Sequence, residues 1–131
     1  MPGWLTKLLG NRGERLAAKH LSRKGYRILA RQHKTFLGEL DIIAQDNAYI
    51  VFVEVKTRRS DIAGHPVEAV TYEKQKKLTQ LGLAYLKKHR LLEHPARFDV
   101  VTIHWKSGQR KPVIEHFENA FPPIGQGQMF S

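Results

Sequence analysis

The chain contains no cysteine among its 131 residues. This absence excludes disulfide bonds, zinc–thiolate centres, iron–sulfur clusters and cysteine nucleophiles. Any metal ion must therefore be bound by oxygen atoms or by imidazole nitrogens.

Long hydrophobic runs are also missing. The apolar runs are short, such as residues 49–53, whereas a membrane-spanning helix needs about 20 apolar residues. The first residues lack the basic segment followed by an apolar segment that marks a secretory signal. We therefore expect a cytoplasmic protein that has no membrane partner.

Acidic residues are scarce relative to basic ones. The chain has 12 Asp and Glu against 22 Lys and Arg, which gives a formal net charge of +10 at pH 7. Such an excess favours a polyanionic partner, with nucleic acid first. The alternative is a basic protein of a larger assembly that binds an acidic protein. The length fits one domain, which we place at residues 1–121, followed by a flexible tail over residues 122–131.

The spacing of apolar residues predicts an α/β fold. A helix over residues 11–24 ends at Gly25, with an extension back to Trp4 as an alternative, and Thr71 is the predicted N-cap of a second helix. The predicted order is helix, three-stranded antiparallel meander, helix, and then one or two strands in a mixed sheet. The predicted strands are residues 26–36, 38–44, 49–55, 98–105 and 113–117.

Three of the scarce acidic residues lie inside the two most apolar strands: Glu39, Asp41 and Glu54. Because side chains alternate along a strand, Glu39 and Asp41 would share one face of their strand, and Glu54 and Lys56 would share one face of the next strand. With a four-residue turn at residues 46–49, the residue numbers of each cross-strand pair add up to 95. Asp41 then opposes Glu54, and Glu39 opposes Lys56. A two-residue turn at residues 46–47 also keeps the faces together, whereas a three-residue turn separates them.

Two carboxylates opposite each other on a sheet repel unless a cation or a shared proton compensates them. Mg²⁺, or Mn²⁺ in its place, prefers such oxygen ligands, and we predict that Asp41, Glu54 and the main-chain carbonyl of Val55 bind it. The ammonium of Lys56 would orient an attacking water or neutralise charge on a phosphate. The alternative is that Glu39 and Glu54 face solvent in cross-strand ion pairs with Lys56 and Arg58.

The acidic residue, the turn and the Glu-x-Lys strand are similar to the PD-(D/E)XK nuclease superfamily. Within it, the chain resembles the uncharacterised bacterial YraN family through Gly13 and Glu14 and four sequence blocks. These blocks cover most of residues 11–103: residues 38–44 (GELDIIA), 52–58 (FVEVKTR), 64–70 (GHPVEAV) and 97–101 (RFDVV). The resemblance implies a restriction-endonuclease-like core, with Asp41 and Glu54 as metal ligands and Lys56 as the catalytic lysine. One departure is that the residues before Asp41 are Glu-Leu instead of a proline.

Holliday-junction resolvases of this superfamily also use an acid on the first helix, and Glu14 has the similar position. The resemblance implies a Mg²⁺-dependent endonuclease that acts on DNA, including branched DNA, and a homodimer would suit symmetric junctions. The alternative is a nucleic-acid-binding module that has the fold without turnover. For Glu14, the alternative is an exposed acid favoured near a helix N-terminus.

Basic residues follow the Glu-x-Lys strand into the second helix. Those that we expect to contact phosphates are Arg58, Arg59, Lys74, Lys76 and Lys77. The alternative is a solvated helix face. We place Glu39 beside the metal ligands, interpret Asp99 as an ion-pair partner, and leave His65 and His104 outside the site.

Overall fold

A computed structural model describes residues 3–59 and 70–125, with the main chain alone for residues 3–9. Within these ranges, two helices flank a five-stranded mixed sheet in the order β1-β2-β3-β4-β5. Strands β3 and β4 are parallel and all other neighbours are antiparallel. The predicted α/β class and meander are confirmed, and both strands after the second helix are present. The elements are α1 (Gly3–Arg23), β1 (Arg27–Thr35), β2 (Gly38–Asp46), β3 (Tyr49–Arg59), α2 (Tyr72–Lys88), β4 (Ala96–Trp105) and β5 (Val113–Phe121).

Helix α1 begins well before residue 11, so the alternative with the longer helix is the correct one. It ends as predicted, because Gly25 has a φ of 96° and its N–H donates to the Ser22 carbonyl at 3.0 Å. The N–H of Tyr26 donates to the Leu21 carbonyl, also at 3.0 Å, which completes a left-handed C-terminal cap. Chain direction therefore reverses directly into β1.

The two helices cover opposite faces of the sheet. Helix α1 packs Ala17, Ala18 and Leu21 on one face. Helix α2, which Thr71 caps by accepting a hydrogen bond from the Lys74 N–H, packs a buried stripe on the other face. The members of that stripe include Leu78, Leu81 and Tyr85. The core therefore has two layers, and the central strands β2 and β3 separate them.

Two glycines allow the helices to lie close to the sheet. A Cβ on Gly13 would collide with the Thr57 hydroxyl of β3. A Cβ on Gly82 would lie 2.9 Å from the Phe52 ring. Because Glu14 follows Gly13 directly, the close approach of α1 to β3 also sets how far Glu14 reaches toward the sheet.

The β2–β3 hairpin has the predicted register. Asp46 pairs with Tyr49 and Ile42 pairs with Val53, so paired positions sum to 95. The turn residues are Asn47 and Ala48, and Asn47 has a φ of 55°, which asparagine tolerates better than most residues. The four-residue turn at residues 46–49 is therefore confirmed.

The predicted alternation of β2 is wrong at Asp41. Leu40 packs in the same core layer as Ile43, whereas Ile42 packs in the layer beneath α1. The recorded pairs between β2 and β3 end at Ile42 and Val53, and Gln32, opposite Asp41 on β1, has a φ of 48°. The pleat is thus interrupted at Asp41, and the ladder does not extend to a Glu39–Lys56 pair.

The ends of two other predicted strands change. Strand β3 continues to Arg59, so Arg58 and Arg59 are strand residues paired with His104 and Trp105 of β4. Strand β5 continues to Phe121, and Ile124 then donates its N–H to the Thr79 hydroxyl at 3.0 Å. His65, most of the block at residues 64–70, and residues 126–131 of the predicted tail lie outside the described residues. No helix in the described part of the chain is long and apolar enough to span a membrane.

Candidate metal centre and nucleic-acid interface

The carboxyl groups of Glu14, Glu39 and Asp41 meet where β2 and β3 part, and Glu54 adjoins Asp41. We call these four residues the acid cluster. Asp41 Oδ2 accepts a hydrogen bond from the Val55 N–H at 2.9 Å, which replaces a ladder bond to β2. Glu54 lies within hydrogen-bonding reach of the Asp41 carboxyl group. The carboxyl group of Asp41 is therefore held between the two strands at the centre of the cluster.

Helix α1 brings a third acid to Asp41. One carboxylate oxygen from each of Glu14, Glu39 and Asp41 lies within 4.8 Å of the other two. Glu14 is only 6% exposed, so it is not the exposed helix-terminal acid of the alternative interpretation. Glu39 is exposed but belongs to the same group, and it is therefore a candidate ligand in its own right.

Two buried oxygen atoms of the acid cluster lack hydrogen-bond donors among the described residues: Glu14 Oε1 and Glu54 Oε2. Arg31 Nε lies 3.5 Å from the first, and Lys74 Nζ lies 3.5 Å from the second, as ion pairs. Both cationic side chains are partly exposed, so they compensate the buried charge incompletely. Buried acceptors without donors are costly, and in native proteins they mark places where a ligand or ion belongs.

The pKa values of the cluster show the same lack of compensation. Burial, followed by the hydrogen bond with Asp41 and its charge, raises the pKa of Glu54 to about 8 against the opposing effect of Lys74 and Lys56. Burial also raises the pKa of Glu14, and the charge of Asp41 adds to this effect. The site therefore favours added positive charge.

The donor set fits a hard divalent cation. All four side chains offer carboxylate oxygens, and two of those oxygens are buried without donors. Mg²⁺ and Mn²⁺ prefer oxygen ligands of this kind. The main chain of Val55 lies beside Asp41 through its N–H, and the role predicted for its carbonyl stays a prediction.

The predicted basic residues divide into two groups. Lys56 is half-buried and close enough to Glu54 to lower the pKa of that carboxyl group, and Arg58 is half-buried two residues further along β3. The others are exposed: Arg59, Lys74, Lys76 and Lys77. Lys74 had been predicted only as a phosphate contact, and its ion pair with Glu54 places it at the edge of the acid cluster.

Sequence reasoning missed Arg31 and the partner of Lys74. Arg31 is one basic residue among several on β1, and only the fold shows that it faces Glu14. The i, i+3 spacing of Lys74 from Thr71 shows that Lys74 lies in the first turn of α2, but it does not show what that turn covers.

A second buried ionic group, which we call the Arg97 network, joins β4 to β2, to β5 and to Tyr26, the residue before β1. Asp99 accepts hydrogen bonds from Arg97 Nε at 3.0 Å and from the Asn119 N–H at 2.9 Å, and its Oδ2 lies 2.8 Å from His116 Nε2. Arg97 also forms an ion pair with Asp46 at 3.1 Å. The interpretation of Asp99 as an ion-pair partner is confirmed.

Neighbouring groups compensate the negative charge of the buried Asp99 carboxylate almost completely. Although burial acts to raise the pKa of Asp99, the hydrogen bonds from His116, Arg97 and Asn119 hold that pKa below its ordinary value. The Tyr26 hydroxyl accepts from Arg97 Nη2 at 2.6 Å and donates to Glu118 at 2.7 Å. Each buried charge in the Arg97 network therefore has an opposite charge or a hydrogen-bond partner.

Residues 13–103 match the sequence profile of the uncharacterised protein family UPF0102. The chain belongs to the UPF0102 family. A UPF0102 protein of Geobacter metallireducens is 50% identical over 115 residues, which cover 88% of this chain and 93% of the relative. A UPF0102 protein of Thermodesulfovibrio yellowstonii is 48% identical over 113 residues, which cover 86% and 95%. A UPF0102 protein of Alkaliphilus metalliredigens is 42% identical over 117 residues, which cover 89% of this chain and all of the relative.

The UPF0102 match contains the whole acid cluster. It begins at the glycine that lets α1 approach β3 and ends within β4. The match also includes Lys56, Arg58 and the lysines of α2. It therefore spans the elements that assemble the site, and β5 lies outside it.

Proposed function

We propose that this UPF0102 protein is a Mg²⁺-dependent endonuclease of the PD-(D/E)XK type, with Mn²⁺ able to replace Mg²⁺. Its substrate is DNA, including branched DNA. The observation that carries this proposal is the pair of buried carboxylate oxygens near Asp41, Glu14 Oε1 and Glu54 Oε2, for which residues 3–59 and 70–125 supply no hydrogen-bond donor. Such a group of acids is stable only if positive charge joins it, and a divalent cation with a phosphodiester supplies the charges that the site balances.

The residues that would hold the cation are Asp41, Glu54 and Glu14, with Glu39 at the exposed edge. The main-chain carbonyl of Val55 completes the proposed ligand set. When bound, the cation supplies positive charge that lowers the pKa of a water and neutralises charge on the phosphate. The hydrogen bond from the Val55 N–H fixes one Asp41 oxygen, so the direction of the other is constrained as well.

Lys56 follows Glu54 by two residues on β3, so regular alternation places both side chains on the same face. There its ammonium orients the attacking water and stabilises the charge that develops on the phosphate. The water oxygen forms a bond to phosphorus while the bond from phosphorus to the leaving deoxyribose oxygen breaks. The attacking water releases one proton to the surrounding solvent, and the leaving oxygen takes up one proton from the solvent, which yields one phosphate end and one hydroxyl end.

The surface beside the acid cluster is suited to holding the rest of the DNA. Arg58 and Arg59 continue β3 past Lys56, and Lys76 and Lys77 lie exposed on α2. Contacts of this kind to phosphates set register and orientation without reading sequence. The net charge of +10 adds long-range attraction for a polyanion.

The test is cleavage of end-labelled DNA substrates with Mg²⁺ or Mn²⁺: linear duplex, single strand, flap and four-way junction, with RNA for comparison. We expect products that require metal and that fall at least about 100-fold in Asp41→Asn and in Lys56→Ala. Two matched controls leave the site intact. Glu118→Gln changes a partly exposed acid of the Arg97 network, and Lys87→Ala removes an exposed lysine in the last turn of α2. Cleavage that survives in Asp41→Asn contradicts the proposal.

A second candidate function is nucleic-acid binding without hydrolysis, and the exposed lysines of α2 favour it. In EDTA, this function predicts that Asp41→Asn keeps or tightens binding, because the substitution removes negative charge next to the phosphates. It also predicts a steep linear fall of log affinity with log salt concentration. Binding with such a slope, together with intact substrates in every metal tested, would favour the binding module over the nuclease.

A further inference from the structure

Two aromatic side chains stand out on the surface next to the acid cluster. Phe36, in the turn between β1 and β2, is 98% exposed, and Tyr72, the first residue of α2, is 64% exposed. Leaving a phenylalanine in water forgoes the free energy that burial of its ring would supply. A single exposed aromatic needs no explanation, but two beside a proposed DNA site do.

The turn that carries Phe36 is held firmly. The Thr35 hydroxyl accepts a hydrogen bond from the Leu37 N–H at 3.1 Å and donates to the Gly38 carbonyl at 3.3 Å. Leu37, the second residue of the turn, packs against the core beneath α2 and anchors the turn. Phe36, the first residue of the turn, is left facing the solvent. Phe36 is therefore pre-positioned in solvent, which lowers the entropy lost when a planar ligand stacks on it.

Lys77 connects the Phe36 turn to helix α2. A Cβ placed on Gly38 would lie 3.5 Å from Lys77 Cε, so the lysine side chain lies directly beside the turn. Lys77 also lines a shallow depression of about 290 Å³ on α2. The other residues that line the depression are Tyr72, Glu73, Lys76 and Gln80. Two lysines, Lys77 and Lys76, therefore lie between Phe36 and Tyr72, with Glu73 beside them.

This aromatic track, defined by Phe36, Lys77, Lys76 and Tyr72, lies close to the acid cluster at its Phe36 end. Phe36 precedes Glu39 by three residues, a span of at most about 10 Å in extended chain. At the other end, Tyr72 precedes Lys74 by two residues on α2, so the two side chains lie on different sides of the helix. A strand bound along the track thus has its Phe36 end toward the carboxyl groups.

We propose that the aromatic track binds single-stranded DNA, and that the preferred substrate is a duplex with an unpaired arm. Bases stack on Phe36 and Tyr72, and the phosphates between them pair with Lys76 and Lys77. This inference rests on the proposed nuclease function only for the choice of substrate. A paired duplex keeps its base faces stacked on one another, so it cannot use the aromatic rings in this way.

The test measures binding, without cleavage, by fluorescence anisotropy in EDTA with the full chain. The probes are a blunt DNA duplex, the same duplex with a ten-nucleotide oligo-dT flap, the same flap with abasic sites, and an oligo-U RNA flap. We expect Phe36→Ala/Tyr72→Ala to weaken binding of the oligo-dT flap at least tenfold and binding of the blunt duplex less than twofold. Abasic sites in the flap and the double substitution should each lower the affinity. The two losses of affinity should not add, because each change removes the same stacking contact.

The matched control is Tyr49→Ala, which removes a 40% exposed aromatic at the opposite end of β3 and should leave flap affinity unchanged. Urea unfolding checks that the double variant keeps its fold, as expected for side chains so exposed. Equal flap affinity in wild type and double variant, or an equal loss for blunt duplex, overturns the inference. Tighter binding to the RNA flap than to the DNA flap overturns the assignment to DNA. Flap binding that depends on the rings, in a protein that cuts nothing, supports the track and contradicts the nuclease.

Discussion

The acid cluster and the Arg97 network both bury carboxylates on the same sheet, yet they treat them in opposite ways. Asp99 is 0% exposed and Glu54 is 8% exposed, so burial hardly differs. Hydrogen bonds from His116, Arg97 and Asn119 lower the pKa of Asp99, whereas burial and Asp41 raise the pKa of Glu54. The two carboxylates differ in how completely their surroundings compensate the charge.

This difference separates a structural role from a functional one. In the Arg97 network, side chains from β2, β4 and β5 and Tyr26, which precedes β1, meet and supply donors for each other. In the acid cluster, two oxygens have no donor among the described residues, although Arg31 and Lys74 are near. A buried charge that these residues do not neutralise supports the proposed cation site.

The largest expected effect distinguishes the two regions by removing one charge from each. We expect Asp99→Asn to lower the free energy of unfolding by about 3 to 5 kcal/mol, because it leaves Arg97 buried without its main anion. We expect Glu54→Gln to leave the metal-free protein at least as stable as wild type near pH 8, because it removes a carboxylate that repels Asp41. Urea unfolding in EDTA measures both. Equal destabilisation by the two substitutions would show that the regions do not differ in compensation.

The next largest expected effect is the stabilisation of the folded protein by the proposed cation. Mg²⁺ at about 100 times its dissociation constant should stabilise the folded protein by about 2.7 kcal/mol. Asp41→Asn should abolish this gain, because Asp41 lies at the centre of the acid cluster. Thermal unfolding with and without Mg²⁺ or Mn²⁺ measures the gain, and Glu118→Gln is the control from the Arg97 network. A gain that persists in Asp41→Asn would place the cation elsewhere.

The last effect, the smallest when neighbouring pH units are compared, is the pH dependence of stability without metal. The folded pKa of Glu54 is raised, so its favourable contribution is complete below its unfolded pKa near 4.5 and is lost as pH rises toward about 8. Each proton retained on folding makes stability fall by at most about 1.4 kcal/mol per pH unit in that window. Glu54→Gln should flatten this decline. A wild-type protein whose stability rises from about pH 5 to about pH 8 would contradict the prediction.

In the Arg97 network, the change of stability with pH has the opposite sign and occurs at acidic pH. The pKa of Asp99 is lowered, so its contribution is present above the unfolded value near 3.8 and is lost as pH falls through the folded pKa. Asp99→Asn should therefore remove part of the acid-induced loss of stability, whereas Glu54→Gln should not. Unfolding curves at several pH values below about 4 measure this difference.

Local sequence signals predicted the parts of the fold that depend on neighbours in the chain. Asn47 and the register of the hairpin, Gly25 at the end of α1, and Thr71 at the start of α2 are all short-range features, and all are confirmed. The helix was predicted too short, because Gly10 and Gly13 suggested interruptions. Packing overrides such weak preferences, and at Gly13 the close contact with Thr57 even requires glycine.

The site was predictable where it lies on adjacent strands. The register that sums to 95 brings Asp41 and Glu54 together, and turn length alone determines that register. The interruption of the pleat at Asp41 was not predictable, because it depends on Gln32 of β1 and on the Asp41 side chain replacing a ladder bond. The same holds for the position of Glu39 in the acid cluster.

The sequence by itself determined the charge balance and the absence of thiolate ligands, and it predicted that Asp41 and Glu54 lie on neighbouring strands, because composition and a short turn are sufficient for these. Only the tertiary structure decided that Glu14 reaches Asp41, that Lys74 contacts Glu54, and that the charge of Asp99 is nearly fully compensated. Those contacts join residues far apart in the chain through helix packing and sheet order. Whether a buried charge finds a partner is therefore a property of the whole fold, and no local pattern contains it.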